Sequence, residues 1–150
     1  MTAYVHGSAV IFGESAILVR GASGAGKSSL VLALLDQATL SGHFARLVGD
    51  DRVALGVHSG RLVVRAHLQT AGQVEQRGIG ILRLKHEPAA IVRFIVDLVA
   101  EPVARMPAAT ERQVDLCGIR LPRLVLNRSL PVHDMACRVA AAMALAYSPE

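Results

Sequence analysis

The chain has 150 residues, 52% of them hydrophobic and 19% charged, with 16 Lys+Arg against 12 Asp+Glu for a formal charge of +4. That composition builds one packed domain and excludes a disordered chain, and two cysteines are too few for a disulfide scaffold or a four-ligand zinc site. Aromatic residues are only 3%, and the fourteen arginines and two lysines form no run of like charge, which argues against a nucleic-acid partner.

In chain order, residues 4–12 and 15–20 are predicted as strands joined by a hairpin turn at Gly13-Glu14. Residues 21–26 are a glycine-rich loop. Residues 27–37 are predicted helical, because Leu30, Val31, Leu34 and Leu35 recur on one face; Gly42 ends that region. A short apolar strand over residues 45–48 runs into Gly49-Asp50-Asp51. Residues 53–57 and 62–65 form a hairpin around His58-Ser59-Gly60. Glu75-Gln76-Arg77-Gly78-Ile79-Gly80 is expected to be a polar loop, followed by the apolar residues 81–84. Residues 91–99, rich in β-branched side chains, are a buried strand. Residues 114–116 and 119–126 form another hairpin turning at Cys117-Gly118, and residues 134–147, rich in Ala and Met, a C-terminal helix. Many strands and two helices point to an α/β domain, a mixed β-sheet with helices packed on one side.

No stretch is long enough to cross a membrane. The most apolar one, residues 91–100, is broken by Arg93 and Asp97 and falls far short of the ~20 apolar residues required. The N-terminus lacks a basic segment, and His6 and Glu14 interrupt its apolar positions, so no signal peptide is expected. The expected location is the cytoplasm.

Gly21-Ala22-Ser23-Gly24-Ala25-Gly26-Lys27-Ser28 matches G-x-x-x-x-G-K-[ST], after an apolar strand and before a helix. Glycines let successive backbone N–H groups face a phosphate, and the helix N-terminus adds partial positive charge. Lys27 supplies a mobile cation to the outer phosphates, and Ser28 a ligand for Mg²⁺. The motif specifies a nucleoside triphosphate without naming what receives the phosphoryl group. Asp50-Asp51 ends the next strand, where adjacent carboxylates point to opposite sides. One of them is expected to face the phosphates as a general base or metal partner.

His6-Gly7, the loop from Gly21 to Ser28, Leu47-Val48-Gly49-Asp50-Asp51 and Glu75-Gln76-Arg77-Gly78-Ile79-Gly80 together resemble HPr kinase/phosphorylase. That family has a histidine–glycine pair before its phosphate loop, a strand ending in a double aspartate, and a signature close to E-I-R-G-L-G-I. The resemblance spans the family's catalytic C-terminal domain. A single catalytic domain over residues 1–150 is therefore expected, as in the short forms from α-proteobacteria. It implies a fold similar to the nucleotide domain of phosphoenolpyruvate carboxykinase. It also implies an enzyme using ATP and Mg²⁺ to phosphorylate a serine of the phosphocarrier HPr or its nitrogen-branch paralogue. The reverse reaction would be phosphorolysis to pyrophosphate. A homo-oligomer is implied; the hexamer of the longer forms is not carried over.

By the same resemblance Lys27 binds the transferring phosphate, Ser28 and Glu75 hold Mg²⁺, and His6 sits beside the phosphates. Asp50 is proton acceptor in the kinase direction and donor in the reverse, and Arg77-Gly78 belongs to the loop used in both. Arg105, in Ala104-Arg105-Met106-Pro107, matches an active-site arginine that neutralises charge on the phosphoryl oxygens. Gln76 replaces the family's Ile. Residues 126–131 match poorly the family's P-V-R-P-G-R-like loop, which is tied to dephosphorylation; Arg128 is the candidate there. The competing readings are another P-loop small-molecule kinase and a non-catalytic nucleotide-binding regulatory module.

Overall fold

The protein is seen in a computed structural model that describes residues 3–147; the extreme ends of the expected 1–150 domain lie outside the described residues. In chain order its strands are Ala3–His6 (β1), Ser8–Phe12 (β2), Ser15–Gly21 (β3), Ala45–Gly49 (β4), Arg52–His58 (β5), Arg61–Ala66 (β6), Gln73–Gln76 (β7), Gly80–Arg83 (β8), Ala89–Val99 (β9), Gln113–Leu116 (β10) and Ile119–Asn127 (β11). Two α-helices, Lys27–Ser41 (α1) and Val132–Ala146 (α2), complete the fold.

The sheet is mixed. β3, β9 and β11 run parallel as neighbours, and β2 lies antiparallel between β3 and β4. β4 therefore points the same way as the parallel trio. The C-terminal ends of these four strands lie at one edge of the sheet, where ligands bind in α/β folds. That edge gathers the glycine loop, Asp50-Asp51, residues 100–108 and residues 128–131.

Both helices pack on one face. α1 buries Leu30, Val31 and Leu34, and α2 buries Met135, Ala136 and Val139, all against Val10, Ile17, Val19, Phe94 and Val96 of the sheet; Ala38 of α1 is buried as well. Each fully buried Leu contributes about 1.5–3 kcal/mol. The opposite face carries Ala9, Leu18, Val92 and Ile95 and needs a cover of its own. The sheet itself provides one, because Val53, Leu55, Leu62 and Val64 of the β5–β6 hairpin join the same cluster. The first three residues of β9 pair with β6 and its later ones with β3 and β11, which links the two layers.

Three expectations change in detail. Residues 4–12 form two strands, because the chain changes partner at Gly7 from β5 to β3 and β4. A Cβ at Gly7 would lie 3.1 Å from the Val19 carbonyl oxygen and 3.3 Å from Leu18 Cδ1, so a side chain there would need its neighbours to give by a few tenths of an ångström. Residues 75–80 are the end of a two-stranded β7–β8 hairpin, whose Val74 is held in the helical-side core. Helix α1 extends four residues past position 37, as Ala38 continues its buried face. The turns at Ser59-Gly60 and Cys117-Gly118 have positive φ at both positions (53° and 73°, 53° and 79°), the geometry of tight two-residue hairpins.

Candidate active site

Helix α1 begins at Lys27, directly after Gly26, whose φ of 101° turns the chain into the helix. No acidic residue occupies its first turn, and no side chain caps Gly26. The positive end of the helix thus stays available to an anion. Lys27 is 5% exposed, and its Nζ donates to the carbonyls of Gly21 at 2.9 Å and Ala22 at 3.1 Å. The ammonium is held at the mouth of the loop by neutral acceptors.

Asp50 and Asp51 diverge. The Arg52 N–H donates to the Asp50 carbonyl at 2.7 Å across Asp51, whose φ is 63°. This is a three-residue turn with a positive central φ, a strained form that Asp tolerates better than most residues. A register shift between Ala9 and Val10 in the β2–β4 pair precedes it and re-aims the strand end. The turn sends Asp51 to solvent and leaves Asp50 8% exposed.

The Asp50 carboxylate then meets two hydroxyls. Ser28 Oγ lies 2.8 Å from both Oδ1 and Oδ2, and Ser8 Oγ donates to Oδ1 at 2.7 Å. Ser8 Oγ also accepts the Asp51 N–H at 3.1 Å, while the Gly7 N–H donates to the Asp51 carbonyl at 3.1 Å. The sequence reading passes over Ser8. Its one signal was a hydroxyl inside the otherwise apolar run that follows His6-Gly7.

The remaining candidates lie around this centre without bonding to it. His6 is exposed at the end of β1, opposite Arg52, one residue before the Gly7 clasp. Glu75 is exposed on β7, opposite Ile81. Arg77 does approach the loop: a Cβ built on Gly24 would be 3.8 Å from its Nη2. The Arg77 side chain, from the β7–β8 turn, thus lies near Gly24 of the glycine loop. Arg105 is exposed in the segment after β9, at the same sheet edge. Arg128 follows β11, and its N–H donates to the Val99 carbonyl at 2.8 Å.

Behind the loop, Asp97 of β9 is buried between two guanidiniums. It accepts from Arg20 at 2.7 and 2.9 Å and from Arg123 at 2.6 Å, tying β3, β9 and β11 together one residue before Gly21. Sequence reading did not find this cluster, whose members are 26 and 77 residues apart. A cavity of about 850 Å³ lies elsewhere, between Val103, Pro107, Leu124 and Leu145, and no residue from Gly21 to Ser28 lines it.

Mg²⁺ takes hard oxygen ligands, commonly one or two carboxylates with waters and phosphates completing the shell. A serine hydroxyl beside the Asp50 carboxylate fits that chemistry. Among the described residues no group of three or more His, Cys, Asp or Glu is gathered.

Fold and loop together define a mixed α/β domain with a glycine-rich G-x-x-x-x-G-K-S loop at the C-terminal edge of its sheet. The chain belongs to the HPr serine kinase family: the family model for the HPr Serine kinase C-terminal domain matches residues 1–88. It is 40% identical over 78 residues to the HPr kinase/phosphorylase of Clostridium beijerinckii, covering 52% of this chain and 24% of that protein. It is 38% identical over 80 residues to that of Mycoplasma mycoides subsp. mycoides SC, covering 53% and 24%. The matched part is thus about a quarter of the length of these relatives. Among solved structures, the HPr(Ser) kinase/phosphatase from Coxiella burnetii superposes with a TM-score of 0.75 at 22% identity, over 96% of this chain and 95% of that one. The expected fold class, a mixed sheet of the phosphoenolpyruvate carboxykinase nucleotide-domain type, is the observed one. The family match ends at residue 88, so Arg105 and Arg128 lie beyond it. No described helix is long and apolar enough to cross a membrane.

Proposed function

We propose that the chain is an ATP- and Mg²⁺-dependent kinase for a serine of HPr or its nitrogen-branch paralogue, with phosphorolysis of the phosphoserine as the reverse reaction. The observation that carries this reading is the Asp50 carboxylate, buried and hydrogen-bonded to the loop's Ser28 at 2.8 Å. The loop N–H groups and the start of α1 bind the phosphates, and the Lys27 ammonium leaves its two carbonyls for their anionic oxygens. Ser28 is proposed to hold Mg²⁺, with Glu75 reaching it from the hairpin whose Arg77 side chain lies near Gly24 of the loop. When bound, the metal would neutralise the β- and γ-phosphate oxygens and orient the transferring group.

A serine hydroxyl is a weak nucleophile, so transfer needs a positioned base. Oδ1 of Asp50 already takes the Ser8 hydroxyl, whereas Oδ2 takes only Ser28. Oδ2 is therefore the atom that accepts the substrate's proton and returns it in the reverse direction. Arg105 and His6 are assigned to the phosphoryl oxygens from the rim. The reading places a single catalytic domain in the cytoplasm, working as a homo-oligomer.

The test is to incubate the chain with ATP, Mg²⁺ and purified HPr and locate phosphoserine by mass spectrometry. ATP binding with no phosphoserine on either phosphocarrier would turn the reading into a regulatory nucleotide-binding module. Adding inorganic phosphate to phosphoserine-HPr and measuring pyrophosphate tests the reverse half. Lack of pyrophosphate would assign the divergence of residues 126–131 to loss of that reaction.

A further inference from the structure

We infer that Ser8 is a positioning residue for Asp50, an inference that rests on the reading of Asp50 as the base. Ser8 is fully buried, and its hydroxyl makes two bonds of opposite sense: it donates to Asp50 Oδ1 and accepts from the Asp51 N–H. The hydroxyl rotor has little freedom left. Its proton is directed at the carboxylate because the backbone N–H supplies the other hydrogen bond.

This matters because Ser28, the other donor to Asp50, has a second task. The Ser28 hydroxyl belongs to the phosphate loop and is proposed to turn its lone pair to the metal. Ser8 belongs to β2 and touches neither the loop nor α1 by hydrogen bond. It holds the same face of the carboxylate whatever Ser28 does. It occupies Oδ1 and leaves Oδ2 to the incoming serine. The backbone supports the clasp: the Gly7 N–H fixes the Asp51 carbonyl, and the tight passage of Gly7 over Val19 fixes where Ser8 begins. A hydroxyl in β2 thus orients a carboxylate 42 residues away.

The test compares Ser8→Thr with Ser8→Val, which have nearly the same shape and differ by the hydroxyl, alongside Ser8→Ala. Phosphorylation of HPr is followed with ATP and Mg²⁺. Ser8→Ala and Ser8→Val are expected to lower kcat about 10- to 100-fold, the range for losing a group that orients a reacting side chain. The KM for ATP stays within about twofold, because the phosphate loop is untouched. Ser8→Thr retains most of kcat. A merely structural role is separated by repeating Ser8→Ala in an Asp50→Asn background: with the base absent, no further loss in kcat is expected. An equal fold-loss in both backgrounds, or wild-type kcat in Ser8→Val, overturns the inference. If Asp50→Asn itself keeps the wild-type rate, the base reading fails instead and takes this inference with it. A low rate in Asp50→Asn with an unaffected Ser8→Val refutes only the role of Ser8.

Discussion

Replacing Asp50 by Asn tests the centre of the site, because it alters the chemistry while keeping the shape. The carboxylate is 8% exposed and takes O–H donors from Ser8 at 2.7 Å and Ser28 at 2.8 Å. The Asn amide oxygen can still accept from Ser8, and its NH₂ can donate to a rotated Ser28 hydroxyl. The loss is the charge on two hydrogen bonds, about 1–2 kcal/mol of stability. The kinase rate loses far more, since removing a general base lowers it ~10²–10⁴-fold, or about 3–5 kcal/mol on the barrier. Asp51→Asn is the internal control. Asp51 is exposed, its φ of 63° suits Asn, and its backbone bonds to Gly7 and Ser8 remain. Its rate is expected within about threefold of wild type, as for surface substitutions. The assay is the initial rate of HPr phosphorylation for the three proteins at saturating ATP, with ATP binding measured separately. Equal losses for both variants, or a greater loss for Asp51→Asn, refute the division of labour that the turn imposes.

Lys27→Ala removes the ammonium from the loop mouth while the backbone cradle stays, so ATP affinity and transfer both fall with the fold intact; unchanged binding by calorimetry would contradict this. Asp97→Asn leaves Arg20 and Arg123 facing one another without their shared anion. Because both guanidiniums keep some access to solvent, the loss is expected near the low end of the ~3–5 kcal/mol for breaking a buried pair. That is about 6–12 °C in Tm for a chain of this size, and a smaller shift than about 2 °C would mean the triad is not a brace. Burial raises the Tyr147 phenol above its ordinary pKa of 10.0, opposed by the charge of Arg93. A raised folded pKa favours the neutral form, so its contribution is whole below pH 10 and lost as pH rises through the folded value. Tyr147→Phe therefore flattens the alkaline limb of stability in denaturant titrations, and an unchanged limb would remove this residue from the account.

What could be read along the chain was local. The glycine loop is one contiguous motif between a strand and a helix, so its residue types and place were legible without partners. The turns at Ser59-Gly60 and Cys117-Gly118 and the buried face of α1 are likewise settled by neighbours a few positions away. Tertiary structure alone decided how Asp50 and Asp51 part, because a turn with positive φ and a shifted register, not strand alternation, aims them. It also decided the break at Gly7, where the chain changes strand partners, and the approach of the Arg77 side chain to Gly24. Ser8 with Asp50 and Asp97 with two arginines were invisible beforehand for one physical reason. A hydrogen bond reads distance in space, and their partners are 26 to 77 residues apart, brought together only when β2, β3, β4, β9 and β11 align in one sheet.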